Sequence, residues 1–187
     1  MLNKYTCLEK LAALRKDEVV VTCMGAAKPW EKLSDTPLDF ASVDSAMGHA
    51  ADFALGLAIA KPERRIITIN GDGSMLMCLG TFVTLAQRPC ENYAMIIIEN
   101  GTYEVTGNQV LPGAGMMDFE AMARGAGIQN VITVETEEEF DAHLPRVFTE
   151  TGPAIFIWKV EPGDEGVPKF DMSIADRAAR LKKALEK

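Results

Sequence analysis

Two stretches decide the fold: Ile66-Ile67-Thr68-Ile69-Asn70-Gly71-Asp72-Gly73 and Ala94-Met95-Ile96-Ile97-Ile98-Glu99-Asn100-Gly101. Each is a short apolar run rich in β-branched residues that halts at a polar break containing glycine, the pattern of a buried strand leaving its sheet. Residues 74 to 99, 26 in all, separate Gly73 from Asn100, which is room for one helix and one strand. The unit is therefore β–α–β, and its two strands run parallel. Asp72 ends one strand and Asn100 follows the next, so both side chains meet at the carboxyl edge of the sheet, where open α/β sheets bind ligands. A carboxylate and an amide at that edge are oxygen donors suited to a hard cation such as Mg²⁺ that also grips a phosphate.

Outward from this unit the same alternation continues. Leu8, Leu11, Ala12 and Leu14 recur at helical spacing within residues 2–15, and Val19-Val20-Val21-Thr22 reads as a buried strand. It ends at Met24-Gly25, a break where backbone can approach a ligand. Residues 28–45, with Pro29, Ser34, Asp35 and Pro37, read as a loop. Helices are expected from Ala46 to Ala60 and from Met75 to Gln87, the second stopped by Arg88-Pro89, with a strand over Tyr93–Glu99. Residues 100–117 show no apolar period. Asp118 is placed to cap a helix reaching about Ala126, and Thr136 with Glu139 has capping-box spacing. Val131–Val134 and Ala154–Trp158 read as strands, 161–171 as linker-like, and 173–186 as a charged terminal helix. The expectation is one α/β domain over residues 1–187, a doubly wound, Rossmann-like parallel sheet flanked by helices, with 161–187 a linker and terminal helix.

Composition narrows the function classes. The chain has 187 residues and is 48% hydrophobic, enough for a substantial core. Its net charge is −8, and without a basic patch it offers nothing to nucleic acid. The four cysteines form no Cys-x-x-Cys pair and only two histidines, His49 and His143, are present, which disfavours zinc and iron–sulfur sites. Buried thiols in a reducing compartment are the expectation, hence a cytoplasmic protein. Residues 1–18 mix charges through their apolar positions, unlike a secretory leader, and no apolar run is long enough to span a membrane. A Ser–His–Asp hydrolase is disfavoured because His143 has no nucleophile elbow near it.

Gly71-Asp72-Gly73, the 26-residue gap and Asn100 resemble the metal–diphosphate motif of thiamine diphosphate enzymes. The usual motif ends in Asn-Asn; here Glu99 replaces the first. The resemblance implies thiamine diphosphate and Mg²⁺ as cofactors, with Asp72, Asn100 and the Thr102 carbonyl as metal ligands. Gly71 and Gly73 would let the backbone pass close to the diphosphate, and Ser74 would reach the same oxygens or serve as a helix N-cap. Ser45-Ala46-Met47-Gly48 resembles the segment whose bulky apolar residue bends the cofactor, a role for Met47 unless it is a core methionine. By the same resemblance the Gly25 carbonyl accepts a hydrogen bond from the pyrimidine amino group.

In the family a glutamate on a separate pyrimidine-binding domain activates the ring. A single α/β domain uses up this chain, so a partner subunit is expected to supply that glutamate, with the cofactor at the interface of a homo- or hetero-oligomer. The segments Ser45–Ala50, Leu55–Ala58 and Asn100–Gln109 are similar to the sulfopyruvate and phosphonopyruvate decarboxylase group. That implies a small 2-oxo acid substrate of three carbons with an anionic group at C3. His49 would face substrate or partner. Asn108 and Gln109 would donate amides or form an ordinary loop, and residues 110–117 would form a lid or a docking loop. Alternatives are half of an acetolactate synthase-like carboligase, a 2-oxoacid:ferredoxin oxidoreductase subunit (disfavoured without cysteine pairs), and a non-catalytic assembly subunit.

Overall fold

The computed structural model describes residues 1–41, 47–164, 166–167 and 169–186. Its elements in chain order are α1 (Lys4–Leu14), β1 (Val19–Thr22), α2 (Ala27–Leu33), β2 (Asp39–Ala41), α3 (Ala50–Ala60), β3 (Ile66–Gly71), α4 (Asp72–Met77), α5 (Gly80–Gln87), β4 (Tyr93–Glu99), β5 (Thr102–Tyr103), β6 (Gln109–Val110), α6 (Phe119–Gly125), β7 (Asn130–Val134), α7 (Glu137–His143), α8 (Arg146–Thr149), β8 (Ala154–Lys159) and α9 (Ile174–Leu185). Six of the strands form one parallel sheet in the order β2-β1-β3-β4-β8-β7. It is the doubly wound α/β architecture that the alternation predicts.

The period of two along each strand divides the core into two layers. Val19 and Val21, Met95 and Ile97, and Ile155 and Ile157 face α3, α5, α6 and α9, where they pack with Ala54, Phe82, Phe119 and Leu181. Val20, Ile67, Ile69, Ile96 and Phe156 face α1, α2, α7 and α8, packing with Leu8, Leu11, Trp30 and Phe140. A sheet buried on both faces explains why its strands read as continuous apolar runs. No described helix is long and apolar enough to cross a membrane.

Local chemistry sets the helix starts. Asn3 accepts hydrogen bonds from the Tyr5 and Thr6 amides at the head of α1. Asp118 caps α6 by accepting from Ala121, and Thr136 and Glu139 make the reciprocal bonds of a capping box at α7.

Four expectations need correction. Residues 28–45 are not all loop: α2 and β2 lie within them. Pro29 is the third residue of α2, where its missing N–H is not needed by the helix. The Asp39 carboxylate ties the two together, accepting from Trp30 Nε1 at 2.9 Å, Ser34 Oγ at 2.6 Å and the Thr36 amide at 2.9 Å. The helix expected over Met75–Gln87 is two helices, because Cys78 leaves helical geometry at φ −138°, ψ 50°. Residues 100–117 contain the antiparallel pair β5–β6. The helix expected from Ala46 begins at Ala50, while Ala46 itself lies outside the described residues.

The loop before β8 is fitted to the start of β4. A Cβ added at Gly152 would fall 2.3 Å from the Tyr93 carbonyl oxygen and 2.4 Å from that of Cys90. Both are backbone atoms, so one of the two segments must move. Gly152→Ala is expected to lower the unfolding free energy by about 3 kcal/mol. An unchanged urea midpoint would contradict this packing.

Candidate functional site

The sheet order places β2 on one side of β1 and β3 on the other, so the winding reverses direction between β1 and β3. A crevice opens at the carboxyl ends of strands at such a switch point. Here it is a cavity of about 100 Å³. Cys23, Met24 and Gly25 line it from the end of β1, Asn70 to Ser74 from β3 and α4, and Asn100, Thr102 and Glu104 from the segment after β4. Met24 holds φ at 47°, a left-handed conformation sparsely populated by non-glycine residues.

Asp72 organises this edge. Its Oδ1 accepts from the Gly73 amide at 2.7 Å, and its Oδ2 from the amides of Asn100 at 2.9 Å and Gly101 at 2.7 Å. One carboxylate thus joins the end of β3 to the turn after β4, where Gly101 takes a left-handed φ of 72°. Asn100 is held at both ends of its amide: Oδ1 accepts from the Thr102 amide at 2.9 Å, and Nδ2 donates to Glu104 Oε2 at 2.7 Å. The two side chains expected to bind a cation are therefore brought together, and Thr102 follows in the same turn.

The other expected site residues divide. Gly71, Gly73, Ser74, Gly25 and Met47 line the cavity. Gly71 has open space where a Cβ would stand, whereas a Cβ at Gly73 would meet the Tyr103 ring at 2.9 Å. Ring packing therefore demands glycine at 73. Ser74 lies inside α4, and its hydroxyl accepts from the Gly48 amide at 2.8 Å, so it is not an N-cap; it ties the Met47–Gly48 turn to the head of α4. Ser45 lies outside the described residues. His49 stands apart from the cavity lining, exposed, with Nδ1 3.2 Å from Asp52 Oδ2 and 3.7 Å from Cys78 Sγ. Both ends of the Asn108 amide are engaged, Oδ1 by the Thr102 hydroxyl at 2.8 Å and Nδ2 by the Gly163 carbonyl at 2.9 Å. Gln109 bonds to Thr106 through both its amide atoms. In the 110–117 segment Leu111 is buried and donates its amide to the Gly101 carbonyl, while Val110 and Met116 are exposed. Glu99 turns away from the cavity into a separate cleft beside Lys159 and Glu135; burial raises its carboxyl, and Lys159 opposes that rise.

Sequence reading passed over three residues. Asn70 is fully buried, accepts from the Gly71 amide and lines the cavity, yet its Nδ2 has no hydrogen-bond partner among the described residues. A polar side chain inside an otherwise apolar strand was the available signal, because a buried amide needs a partner. Lys4 and Glu104 also line the cavity as a buried ion pair.

The residues present fit a metal-bridged diphosphate. Asp72 and Asn100 supply hard oxygen donors, and the buried Asn70 amide at the cavity wall has an N–H without a partner among the described residues, which an anionic oxygen would satisfy.

Burial pushes the Asp72 carboxyl up to about 6, although the amides of Gly101, Gly73 and Asn100 pull the other way. Between its ordinary 3.8 and about 6 the folded chain holds a proton that the unfolded chain has released. The stabilisation from neutral Asp72 is therefore complete below the lower value and lost as pH rises through the upper one. Relative to Asp72→Asn, the wild-type chain is expected to lose about 3 kcal/mol of unfolding free energy across that window. Denaturation curves with a pH-independent difference would contradict the shift.

Comparison with known proteins shows the family. Residues 22–157 match the family described as thiamine pyrophosphate enzyme, C-terminal TPP binding domain. The chain is 32% identical over 182 residues to sulfopyruvate decarboxylase subunit beta of Methanothermobacter thermautotrophicus, spanning 97% of this chain and 94% of that protein. It is 29% identical over 183 residues to phosphonopyruvate decarboxylase of Streptomyces viridochromogenes, spanning 96% of this chain but 45% of that one. The crystal structure of benzoylformate decarboxylase from Polynucleobacter necessarius superposes with a TM-score of 0.70 at 18% identity, over 90% of this chain and 34% of that one, a likeness of fold. The chain belongs to the thiamine pyrophosphate enzymes, as a domain of the C-terminal, TPP-binding type.

Proposed function

We propose that this chain is the diphosphate-binding subunit of a split, thiamine diphosphate- and Mg²⁺-dependent 2-oxo acid decarboxylase, completed by a pyrimidine-binding partner subunit. The observation that carries the reading is one of coverage. The chain accounts for 94% of a relative named as a beta subunit and 45% of a longer one named phosphonopyruvate decarboxylase. The part of the longer protein outside this match would correspond to the partner subunit, with the pyrimidine-activating glutamate that the family resemblance implies. The names of both relatives favour a three-carbon 2-oxo acid with an anionic group at C3. Free cysteines, two of them buried, suit a cytoplasmic assembly.

When bound, thiamine diphosphate supplies a carbon nucleophile and an electron sink for decarboxylation. The protein's task is to hold and shape it. Asp72, Asn100 and the Thr102 carbonyl would hold Mg²⁺. Asn70 would donate its unpartnered N–H to a diphosphate oxygen. Met47, at the cavity wall, would set the relation of the two rings, and the Gly25 carbonyl would receive the pyrimidine amino group. Among the described cavity residues, the one ammonium group, Lys4, is already paired with Glu104. The cations that meet a dianionic substrate would therefore come from the partner subunit.

The test is release of carbon dioxide from sulfopyruvate, phosphonopyruvate and pyruvate by the chain alone and with its partner. Turnover of an anionic substrate only in the pair is expected. Turnover by the chain alone would remove the split-enzyme reading, and acetolactate formed from pyruvate would replace it with a carboligase.

A further inference from the structure

Lys4 opens α1 and is among the residues that line the cavity at the strand ends. It forms an ion pair with Glu104 Oε1 and donates to the Gly25 carbonyl at 3.3 Å. Lys4 is 2% exposed and Glu104 is 7% exposed. Removing two opposite charges from water costs more than their attraction returns unless further hydrogen bonds complete both. Those bonds are present. The second carboxylate oxygen of Glu104 receives Asn100 Nδ2 at 2.7 Å, and the ammonium group reaches Gly25. Two glycines press against the pair. A Cβ at Gly163 would fall 2.7 Å from Glu104 Oε1 and 2.9 Å from Lys4 Nζ, and one at Gly25 would stand 3.5 Å from the same carboxylate oxygen. Lys4 and Gly163 both lie outside residues 22–157, the stretch that matches the family profile.

A terminal amide can present either its oxygen or its nitrogen. With Nδ2 bound to a carboxylate, which accepts and cannot donate, the Asn100 amide is fixed in one sense. Its Oδ1 is left as the acceptor, taking the Thr102 amide at 2.9 Å. We propose that Lys4 and Glu104 are a buried positioning pair that holds Asn100 as an oxygen donor to a divalent cation. The inference rests on the reading of the metal site given above. Through it the N-terminal helix and the segment after β8 support a ligand inside the stretch that matches the family. Removing the ammonium leaves a buried carboxylate without its counter-charge. Glu104 then shifts from its place, and the hold on Asn100 weakens.

The test uses the full-length chain with thiamine diphosphate and Mn²⁺ as the probe, free Mn²⁺ being counted by its paramagnetic resonance. The variants are Lys4→Met, Glu104→Ala and the double variant Lys4→Met/Glu104→Gln. The Mn²⁺ dissociation constant is expected to rise about tenfold or more in each single variant, the usual effect of losing a group that orients a ligand. The double variant should regain most of it, because glutamine still offers an acceptor to Asn100 and no charge is left unpaired. A purely structural pair would lower the melting temperature and leave the affinity of the folded protein alone. Single variants that fold and bind Mn²⁺ within twofold of wild type therefore overturn the proposal. Should Lys4→Met fail to fold, the same limit applies to Glu104→Ala. A wild-type chain that binds no Mn²⁺ with the cofactor present overturns the metal-site reading itself, and the pair's role with it.

Discussion

Asp72→Ala is expected to lower the affinity for thiamine diphosphate in the presence of Mg²⁺ by at least about 100-fold, since it removes the only charged ligand of the proposed metal set. The same change orphans three backbone amides, those of Gly73, Asn100 and Gly101, now satisfied at 2.7 to 2.9 Å. Two of them tie the turn after β4 to the end of β3, so the variant should also lose about 2 kcal/mol of stability. Asp72→Asn separates the effects. Its carbonyl oxygen still accepts an amide hydrogen, but the charge is gone. Stability nearer that of wild type with metal-dependent affinity still lost is the expected pattern. An unchanged affinity in Asp72→Asn would remove Asp72 from the metal set.

Met47→Ala should behave in the opposite way. Met47 lines the cavity and makes no part of the oxygen-donor set. Its thioether and flexible chain suit an irregular space beside aromatic rings. Cutting it back would leave the diphosphate grip intact, with cofactor affinity within about threefold of wild type. The reacting carbon would lose its support, and misplacement by about 1 Å can cost two orders of magnitude in rate. Turnover of the assembled enzyme is therefore expected to fall about 100-fold. A rate unchanged beside an unchanged affinity would make Met47 a packing residue only. Assays under saturating cofactor distinguish the two outcomes.

How much of this was legible beforehand depends on the range over which the signal acts. The strands β3 and β4 end where the polar breaks predict, at Gly71 and Glu99, because a strand buried on both faces carries its own pattern. The caps of α6 and α7 were legible because each needs only three or four neighbouring residues. The helix α2 was not. Pro29 inside it and Ser34, Asp35 and Pro37 just after it resemble turn material, and the Asp39 hub that orders the segment reaches back to Trp30 and Ser34 by hydrogen bonds that no apolar period signals. The strands β5 and β6 have two residues each, too few for any period.

At the site, Asp72 and Asn100 were visible from residue type and spacing along one chain direction. The Lys4–Glu104 pair spans a sequence separation of 100 residues, and nothing local marks either partner. Asn70 was in view within the decisive stretch, but only burial shows that its amide lacks a partner. Glycine illustrates the same limit. The run Gly71-Asp72-Gly73 reads as two equivalent permissive positions, whereas the structure gives open space at the first and an aromatic ring at the second.

The central claim is that this chain holds one half of a cofactor site, and titration calorimetry tests it most directly. Thiamine diphosphate with Mg²⁺ is titrated into the chain alone and into the chain mixed with a pyrimidine-binding subunit. Tight, Mg²⁺-dependent binding that appears only in the mixture is the predicted result. Equally tight binding by the isolated chain, or none in either sample, would contradict the account.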